Sequence, residues 1–221
     1  MVAVPVYGGH IAPKAVERLQ KLRGEATPAV AVVVYGNRAF DQAAVELVQF
    51  LDERGFRCVA VGAFVGEHSY STVRTPIAEG RPNLNDLEDA KRFGMNVYAK
   101  LAKDDVSKVD LTGFKNPPTP LWSMLRFVSF ILRLRRKQKR NPVVLIPKTD
   151  PAKCTHCGHC VMLCPVQAIT KGDELRTDPS RCIRCCACVK GCKEGARSFP
   201  NPYAEPLSKN FAKQKPNLMR I

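Results

Sequence analysis

The chain has 221 residues, 45% hydrophobic and 25% charged, which are the proportions of a soluble globular protein with one large or two small domains. Its 35 basic and 20 acidic residues give a formal net charge of +15, so it favours acidic or anionic partners. Nine of the ten cysteines lie between Cys154 and Cys192, which argues against disulfides spread over a secreted protein. We therefore expect a cytoplasmic protein, without a secretory signal, whose cysteines bind metal.

The first hundred residues alternate between strand and helix patterns. Valine-rich runs such as Ala29–Tyr35 are typical of strands buried on both faces of a parallel sheet. Segments with apolar residues every three or four positions follow them, and Pro13 and Gly55 stand where helices begin and end. The pattern predicts strands at 2–6, 29–35 and 57–65 and helices at 13–22, 40–54 and 84–102. This alternation predicts an α/β fold with a parallel sheet.

Two glycine-containing loops follow the first two predicted strands, in the sequences VPVYGGHIAP (4–13) and VVYGNRAFDQA (33–43). Loops at the carboxyl ends of parallel strands bind ligands, glycines let backbone amides approach a flat ring, and tyrosine stacks on it. Both loops resemble the two that flank the flavin ring in flavodoxins. The resemblance implies a flavodoxin-like domain with an FMN-ring site formed by Pro5, Tyr7, Gly8, Gly9, Tyr35, Gly36, Asn37, Arg38 and Asp41. We give equal weight to the alternative interpretation, in which the two loops are strand-to-helix turns that bind no ligand.

The sequence departs from the flavodoxin pattern at its start. A flavodoxin begins with a strand and a phosphate loop rich in serine, threonine and glycine, whose amides hold the FMN phosphate. No such segment precedes Val2, so we expect a truncated flavodoxin-like domain over residues 1–103, with FMN bound weakly or not at all. Val2–Val6 would otherwise be a bare apolar edge, so we expect either that a segment is missing before it or that another chain or segment covers it. For His68 we expect a hydrogen bond within its loop, with proton delivery to a flavin as the alternative.

Residues 104–142 form a basic connector. The sequence KNPPTP at 115–120 excludes a helix, and an apolar helix is predicted over 121–134, too short to span a bilayer. This helix carries a narrow polar stripe formed by Ser123, Arg126, Ser129 and Arg133. Residues 201–221 form a basic tail, which we expect to be disordered beyond Pro206.

The connector fits two surroundings. Trp122, Phe127 and Phe130 beside the basic run at 133–140 are typical of a helix on an anionic membrane surface, which would make the protein peripheral to the membrane. We favour instead a helix packed against the two domains, with its basic end in solvent. No recognised nucleic-acid-binding module accompanies the charge, so nucleic acid is not an expected partner.

Eight cysteines form two copies of the pattern C-x2-C-x2-C-x3-C, and each cysteine of the second copy lies 28 residues after its counterpart. In this spacing three cysteines surround one face of an iron–sulfur cube and the fourth reaches the other cluster. We therefore assign cluster I to Cys154, Cys157, Cys160 and Cys192. We assign cluster II to Cys182, Cys185, Cys188 and Cys164. Zinc sites lack this interleaved arrangement.

The other cysteines and the nearby histidines are not assigned as ligands. Cys186 is expected to be a small buried residue inside the second loop, and Cys58 a core residue. His156 and His159 are expected to be exposed loop residues, with hydrogen bonds that tune a cluster as the alternative. Lys193 stands where the first copy has a proline, a change that removes no ligand.

The stretch CTHCGHCVMLCPVQAI (154–169) closely resembles the two-cluster ferredoxins of bacteria, with GCKEGARSF (191–199) as its degenerate partner. The resemblance implies a small α+β domain over 143–200 with pseudo-two-fold symmetry and one-electron transfer at low potential. Taken together, the two halves resemble the flavodoxin-like/ferredoxin fusion proteins of anaerobic bacteria.

The leading functional hypothesis is electron transfer through two 4Fe–4S clusters, in relay with FMN if the flavin binds, to a redox protein with an acidic surface. An FMN and iron–sulfur oxidoreductase acting on a substrate is the first alternative. A structural or regulatory iron–sulfur protein is the second. The sequence contains no identifiable catalytic residues, which favours a carrier over an enzyme.

Overall fold

The computed structural model describes residues 1–221, which divide into two compact units. Unit 1 comprises residues 1–68, 77–119 and 211–221, and unit 2 comprises residues 69–76 and 120–210. In chain order, the elements are β1 (Val2–Tyr7), β2 (His10–Ile11), α1 (Pro13–Leu19), β3 (Thr27–Tyr35), α2 (Ala43–Asp52), β4 (Phe56–Val65), α3 (Leu84–Leu101), α4 (Leu121–Arg140), β5 (Lys148–Thr149), α5 (His159–Leu163), α6 (Ala187–Lys190), β6 (Arg197–Ser198), α7 (Ala204–Asn210) and β7 (Leu218–Arg220).

Unit 1 is built on a mixed five-stranded sheet with the strand order β2–β1–β3–β4–β7. Strands β1, β3 and β4 are parallel, as the valine-rich sequence predicts, whereas β2 and β7 are antiparallel to their neighbours. On the side of β1 away from β3, β2 pairs only with Val6 and Tyr7. The loops that follow β1 and β3 lie at the same edge of the sheet because the two strands are parallel.

Helices cover both faces of this sheet. Leu47 and Leu51 of α2 are fully buried in one cluster with Val33 of β3. Phe93 of α3 packs against Val32 in a second cluster, because successive side chains of a strand point to opposite faces. Each fully buried leucine contributes about 1.5–3 kcal/mol, so these two clusters hold unit 1 together.

The C-terminal segment is ordered, and the expectation of disorder beyond Pro206 is wrong. Residues 211–221 belong to unit 1, where Phe211 is buried and β7 pairs with β4. The buried Lys215 ammonium donates a hydrogen bond of 2.6 Å to the carbonyl oxygen of Arg38. These partners are far apart in the sequence, so local composition does not reveal them.

Unit 2 combines the long helix α4 with short elements. Helix α4 runs to Arg140, beyond the predicted end at residue 134, because arginine and lysine are good helix formers. It packs on α7, and the ring of Phe130 lies 6.1 Å from the ring of Tyr203, the residue directly before α7. Strands β5 and β6 pair antiparallel.

In residues 1–221, no helix is both long enough and apolar enough to cross a membrane.

Candidate metal centres

The backbone of unit 2 repeats itself with the same 28-residue offset as the cysteines. At this offset, three pairs of residues share a left-handed backbone conformation. They are His156 and Arg184 (φ 54° and 58°), Gly158 and Cys186 (φ 73° and 59°), and Gln167 and Gly195 (φ 52° and 58°). Left-handed residues are uncommon outside glycine, so their recurrence shows that the two halves fold in the same way. Each half turns sharply around its first three cysteines.

Reciprocal hydrogen bonds join the two halves. The amide of Asp150, before the first loop, donates to the carbonyl oxygen of Ala196 at 2.8 Å. The amide of Asp178, before the second loop, donates to the carbonyl oxygen of Ala168 at 2.7 Å. Because the start of one half is bonded to the end of the other, the fourth cysteine of each half is carried towards the loop of its partner.

A cavity in unit 2 is lined by four cysteines from both halves: Cys154, Cys157, Cys160 and Cys192. The first three belong to the first loop, and Cys192 is the last cysteine of the second half. These are the four residues assigned from the spacing to cluster I. His159, Glu174 and Arg197 also line this cavity.

The thiol groups of the other set also lie near one another. Burial raises the pKa of Cys185, and the neighbouring thiols of Cys164 and Cys182 raise it further. Burial also raises the pKa of Cys188, and the neighbouring thiols of Cys185 and Cys182 raise it further. The amide of Ala168 lies 3.1 Å from the sulfur of Cys164 and donates to it. The structure thus brings Cys164 of the first half beside the second loop.

Arg197 is a buried cation between the two sets of cysteines, with 4% of its surface exposed. Its Nη1 lies 3.8 Å from the sulfur of Cys160, and its charge opposes the rise that burial causes in the pKa of the nearby Cys188. Its other partners are the carbonyl oxygen of Glu174 and the hydroxyl of Thr177, while its Nε has no partner. None of these partners is a carboxylate, so the guanidinium has no negatively charged partner among them. A buried charge without a counter-charge costs free energy of folding.

Glu174 and His156 form a polar contact beside the first loop. The buried carboxylate of Glu174 lies 2.9 Å from Nδ1 of His156 and accepts a hydrogen bond from the amide of Gly172, which together lower its pKa to about 2. The side chain of His156 is 52% exposed, in line with the exposed position expected from the sequence. Its contact is with Glu174, and this pair fixes the loop around Cys154 and Cys157.

The donor set fits a 4Fe–4S cluster. No three His, Cys, Asp or Glu side chains anywhere in residues 1–221 converge closely enough to hold a single metal ion. The cysteines instead surround a cavity, which is the arrangement that a cube of several iron and sulfur atoms requires. Thiolate ligands carry negative charge, so an iron–sulfur cluster would supply the counter-charge that the buried Arg197 lacks. Cysteine sulfur is also the ligand that iron–sulfur clusters use.

Comparison with known proteins agrees with this chemistry. A family model described as a 4Fe-4S binding domain matches residues 147–170. No curated protein and no solved structure matches the chain. The chain thus carries a 4Fe–4S binding domain in its cysteine-rich C-terminal region.

The structure gives roles to the two cysteines outside the repeats. Cys186 occupies the position equivalent to Gly158, where a left-handed residue precedes a short helix, and it is buried. Cys58 is buried in the core of unit 1. Burial raises the pKa of Cys186 to about 12 and that of Cys58 to about 11. Both thiols are therefore protonated at neutral pH.

The two predicted flavin loops of unit 1 meet each other. Gly9 leaves no room for a side chain because the carboxyl group of Asp41 lies against it, and its carbonyl oxygen accepts a hydrogen bond of 3.0 Å from the amide of Gln42. Asp41 pairs with Arg38, so these loop residues are mutual neighbours. Pro5, Tyr7 and Gly8 lie at the same edge, at the end of β1 or directly after it.

Two of the predicted flavin residues are buried by the chain itself. Tyr35 is 2% exposed and packs on Phe40 at 5.4 Å, and burial raises its pKa to about 12. The side chain of Asn37 donates to the carbonyl oxygen of Phe211 at 2.7 Å and accepts from the amide of Lys215 at 2.9 Å. The C-terminal segment therefore occupies the hydrogen-bonding groups of Asn37.

Sequence analysis missed Arg197 and the glycine-like role of Cys186. Both were accessible through the internal repeat. The 28-residue offset aligns Arg197 with Ile169, a buried apolar residue, so a charge stands in the second half where the first half has none. The same offset aligns Cys186 with Gly158.

Proposed function

We propose that this chain is an electron carrier in which two 4Fe–4S clusters exchange single electrons with a partner redox protein. Cys154, Cys157, Cys160 and Cys192 would hold cluster I, and Cys182, Cys185, Cys188 and Cys164 would hold cluster II. The clusters supply one-electron redox chemistry when bound. The observation that carries the proposal is the cavity lined by cysteines of both halves, with the buried Arg197 facing it.

Charge supports an acidic partner surface. The chain has a formal net charge of +15, which attracts acidic surfaces and speeds encounter at low ionic strength. Transfer to an acidic redox protein should therefore slow as salt rises, because surface charges are screened.

The test is cluster content in chains reconstituted without oxygen. The native chain should hold about eight irons, as two 4Fe–4S clusters require. Cys192→Ala and Cys154→Ala should each lose cluster I, and the double variant should lose no more than either one. Combining Cys154→Ala with Cys164→Ala should remove both clusters. Cys186→Ala is the matched control and should keep both.

Two results would contradict the proposal. One is zinc in place of iron in chains purified without oxygen. The other is iron lost on Cys186→Ala but kept on Cys192→Ala. Repeated reduction and reoxidation separates a carrier from a structural iron–sulfur protein, because only a carrier should regain its visible spectrum after each cycle.

The FMN relay is a separate hypothesis with its own test. The contact between Gly9 and Asp41 favours it, since the two predicted loops do meet. The burial of Tyr35 and the hydrogen bonds of Asn37 weigh against it, because a buried ring cannot stack on a flavin. The amount of flavin that acid releases from the purified protein, measured per chain, decides whether the chain binds FMN. An FMN-dependent substrate reductase would require the same flavin.

A further inference from the structure

Helix α4 has two apolar faces, and only one of them is used within unit 2. Phe127, Phe130 and Leu134 are partly buried, and the Phe130 ring contacts Tyr203. This inner face accounts for the packing of α4 on α7. It includes both phenylalanines that the sequence assigned to a membrane-facing side.

The opposite face of α4 is apolar and exposed. Leu121, Leu125, Val128 and Leu132 follow one another at intervals of four, three and four residues, which places them in one row along the helix. Their exposed fractions are 70%, 48%, 47% and 49%. Trp122, beside this row, is 74% exposed. A continuous exposed apolar row of this kind marks an interaction surface.

The charge of α4 selects the partner. The helix carries seven basic residues and no acidic one: Arg126, Arg133, Arg135, Arg136, Lys137, Lys139 and Arg140. Most of them lie in the last two turns, just beyond the exposed apolar row. A second copy of the helix offers no acidic residue to the basic end, and a parallel pairing would bring like charges together, which disfavours a homodimer through this face. The surface of an anionic membrane offers negative charge to the basic end of the helix and an apolar region to the exposed row.

We propose that the outer face of α4 binds the surface of an anionic membrane. The row from Leu121 to Leu132 enters the boundary between headgroups and acyl chains, where Trp122 is a favourable anchor. The basic last turns contact acidic headgroups. The helix lies along the surface and does not cross the bilayer, because no helix here is apolar enough to span it. Electron transfer then takes place beside the membrane.

Vesicle binding of the cluster-loaded full chain tests the proposal. One set of vesicles is phosphatidylcholine alone, and the other is an equal mixture of phosphatidylcholine and phosphatidylglycerol. Trp122 is the single tryptophan of the chain, so its emission reports directly on this face. We expect sedimentation with the mixed vesicles and a blue shift of the emission, with little of either on phosphatidylcholine alone or at high salt.

Matched variants separate the two contributions. Leu125→Gln with Leu132→Gln should lower the partition coefficient by about tenfold or more, since two apolar contacts are lost. The control is Leu87→Gln with Met95→Gln, which changes residues of α3 that are 56% and 61% exposed and should leave binding unchanged. Neutralising Arg135, Arg136 and Lys139 to glutamine should abolish the preference for phosphatidylglycerol.

Three outcomes would overturn the proposal. The first is equal binding to both vesicle compositions, and the second is undiminished binding by the Leu125→Gln and Leu132→Gln double variant. The third is a native chain that does not bind vesicles but forms a dimer in sedimentation velocity, where the double variant is a monomer. Iron content, measured alongside, keeps a failure of the electron-carrier proposal distinct from a failure of this one.

Discussion

Nη1 of Arg197 lies 3.8 Å from the sulfur of Cys160, and the charge of the same side chain opposes the rise that burial causes in the pKa of Cys188. One buried cation thus acts electrostatically on a cysteine of each set. Reduction adds a negative charge to a cluster, and a nearby cation stabilises the reduced form more than the oxidised form.

Replacing Arg197 should therefore lower the midpoint potentials of both proposed clusters. Arg197→Ile, which restores the residue type found at Ile169 in the first half, should shift them by about 60 mV or more, the equivalent of one charge-assisted hydrogen bond. Arg197→Lys should recover part of the shift. A redox titration followed by electron paramagnetic resonance measures both, with the exposed Arg176→Met as control. Unchanged potentials in Arg197→Ile would show that the contact is only structural.

Removing the clusters should unfold the cysteine-rich region and leave unit 1 folded. Helices α5 and α6 have five and four residues, too few to be stable without further support, and Arg197 would lose its counter-charge. Hydrogen exchange measured before and after chelation should show lost protection over residues 143–200 and retained protection in α2 and β4. Equal protection in both states would contradict a folding role for the clusters.

Tyr35→Phe should stabilise unit 1 by about 1 kcal/mol. The hydroxyl of Tyr35 is buried without a hydrogen-bond partner, and an unsatisfied buried polar group costs free energy. Native-state hydrogen exchange of β3 and β4 amides gives the change in the free energy of opening. Tyr98→Phe, at a residue 76% exposed, is the control and should have no effect. A loss of stability in Tyr35→Phe would mean that the hydroxyl is bonded.

The buried pair of Arg81 and Asp86 should make unit 1 sensitive to acid. Burial raises the pKa of Asp86, but hydrogen bonds from Arg81, Asn83 and Asn217 and the charge of Arg81 hold it below its usual value. A carboxyl group with a lowered pKa in the folded state stabilises above its unfolded pKa of about 3.9, and this stability is lost as the pH falls through the folded pKa.

Asp86→Asn should therefore lower the free energy of unfolding by about 3–5 kcal/mol at neutral pH, because Arg81 is left buried without its partner. The gap between the variant and the native chain should narrow below about pH 4. Denaturation followed by circular dichroism measures this gap, and the exposed Glu88→Gln is the control. A gap that is independent of pH would exclude the ion pair as its cause.

Asn37→Ala should release the C-terminal segment from unit 1. Asn37 makes hydrogen bonds to the backbone of Phe211, Lys213 and Lys215, and its loss should cost about 3 kcal/mol. Limited proteolysis should then cleave within residues 211–221, whereas the exposed Asn96→Ala should stay resistant. If removal of this segment also allows FMN to bind, the flavin hypothesis gains its first direct support.

The parallel strands and the metal chemistry could be predicted because both depend on patterns within short stretches of chain. Ala29–Tyr35 is apolar throughout, and such a run forms a strand buried on both faces. The alternation of side chains along the same strand also predicts that Tyr35 is buried, which the flavin interpretation did not take into account. With a period of two, Tyr35 lies on the face of Val33 and points into the core, whereas Val34 is 42% exposed.

Cysteine spacing by itself determined the iron–sulfur chemistry, because ligand identity and loop length are both local properties. The tertiary structure decided where Arg197 lies, which face of α4 stays exposed and that the tail packs on Asn37. These outcomes depend on partners far apart in the chain, such as Asn37 and Lys215. A buried charge or amide is stable only where distant groups satisfy it, and only the folded chain brings those groups together.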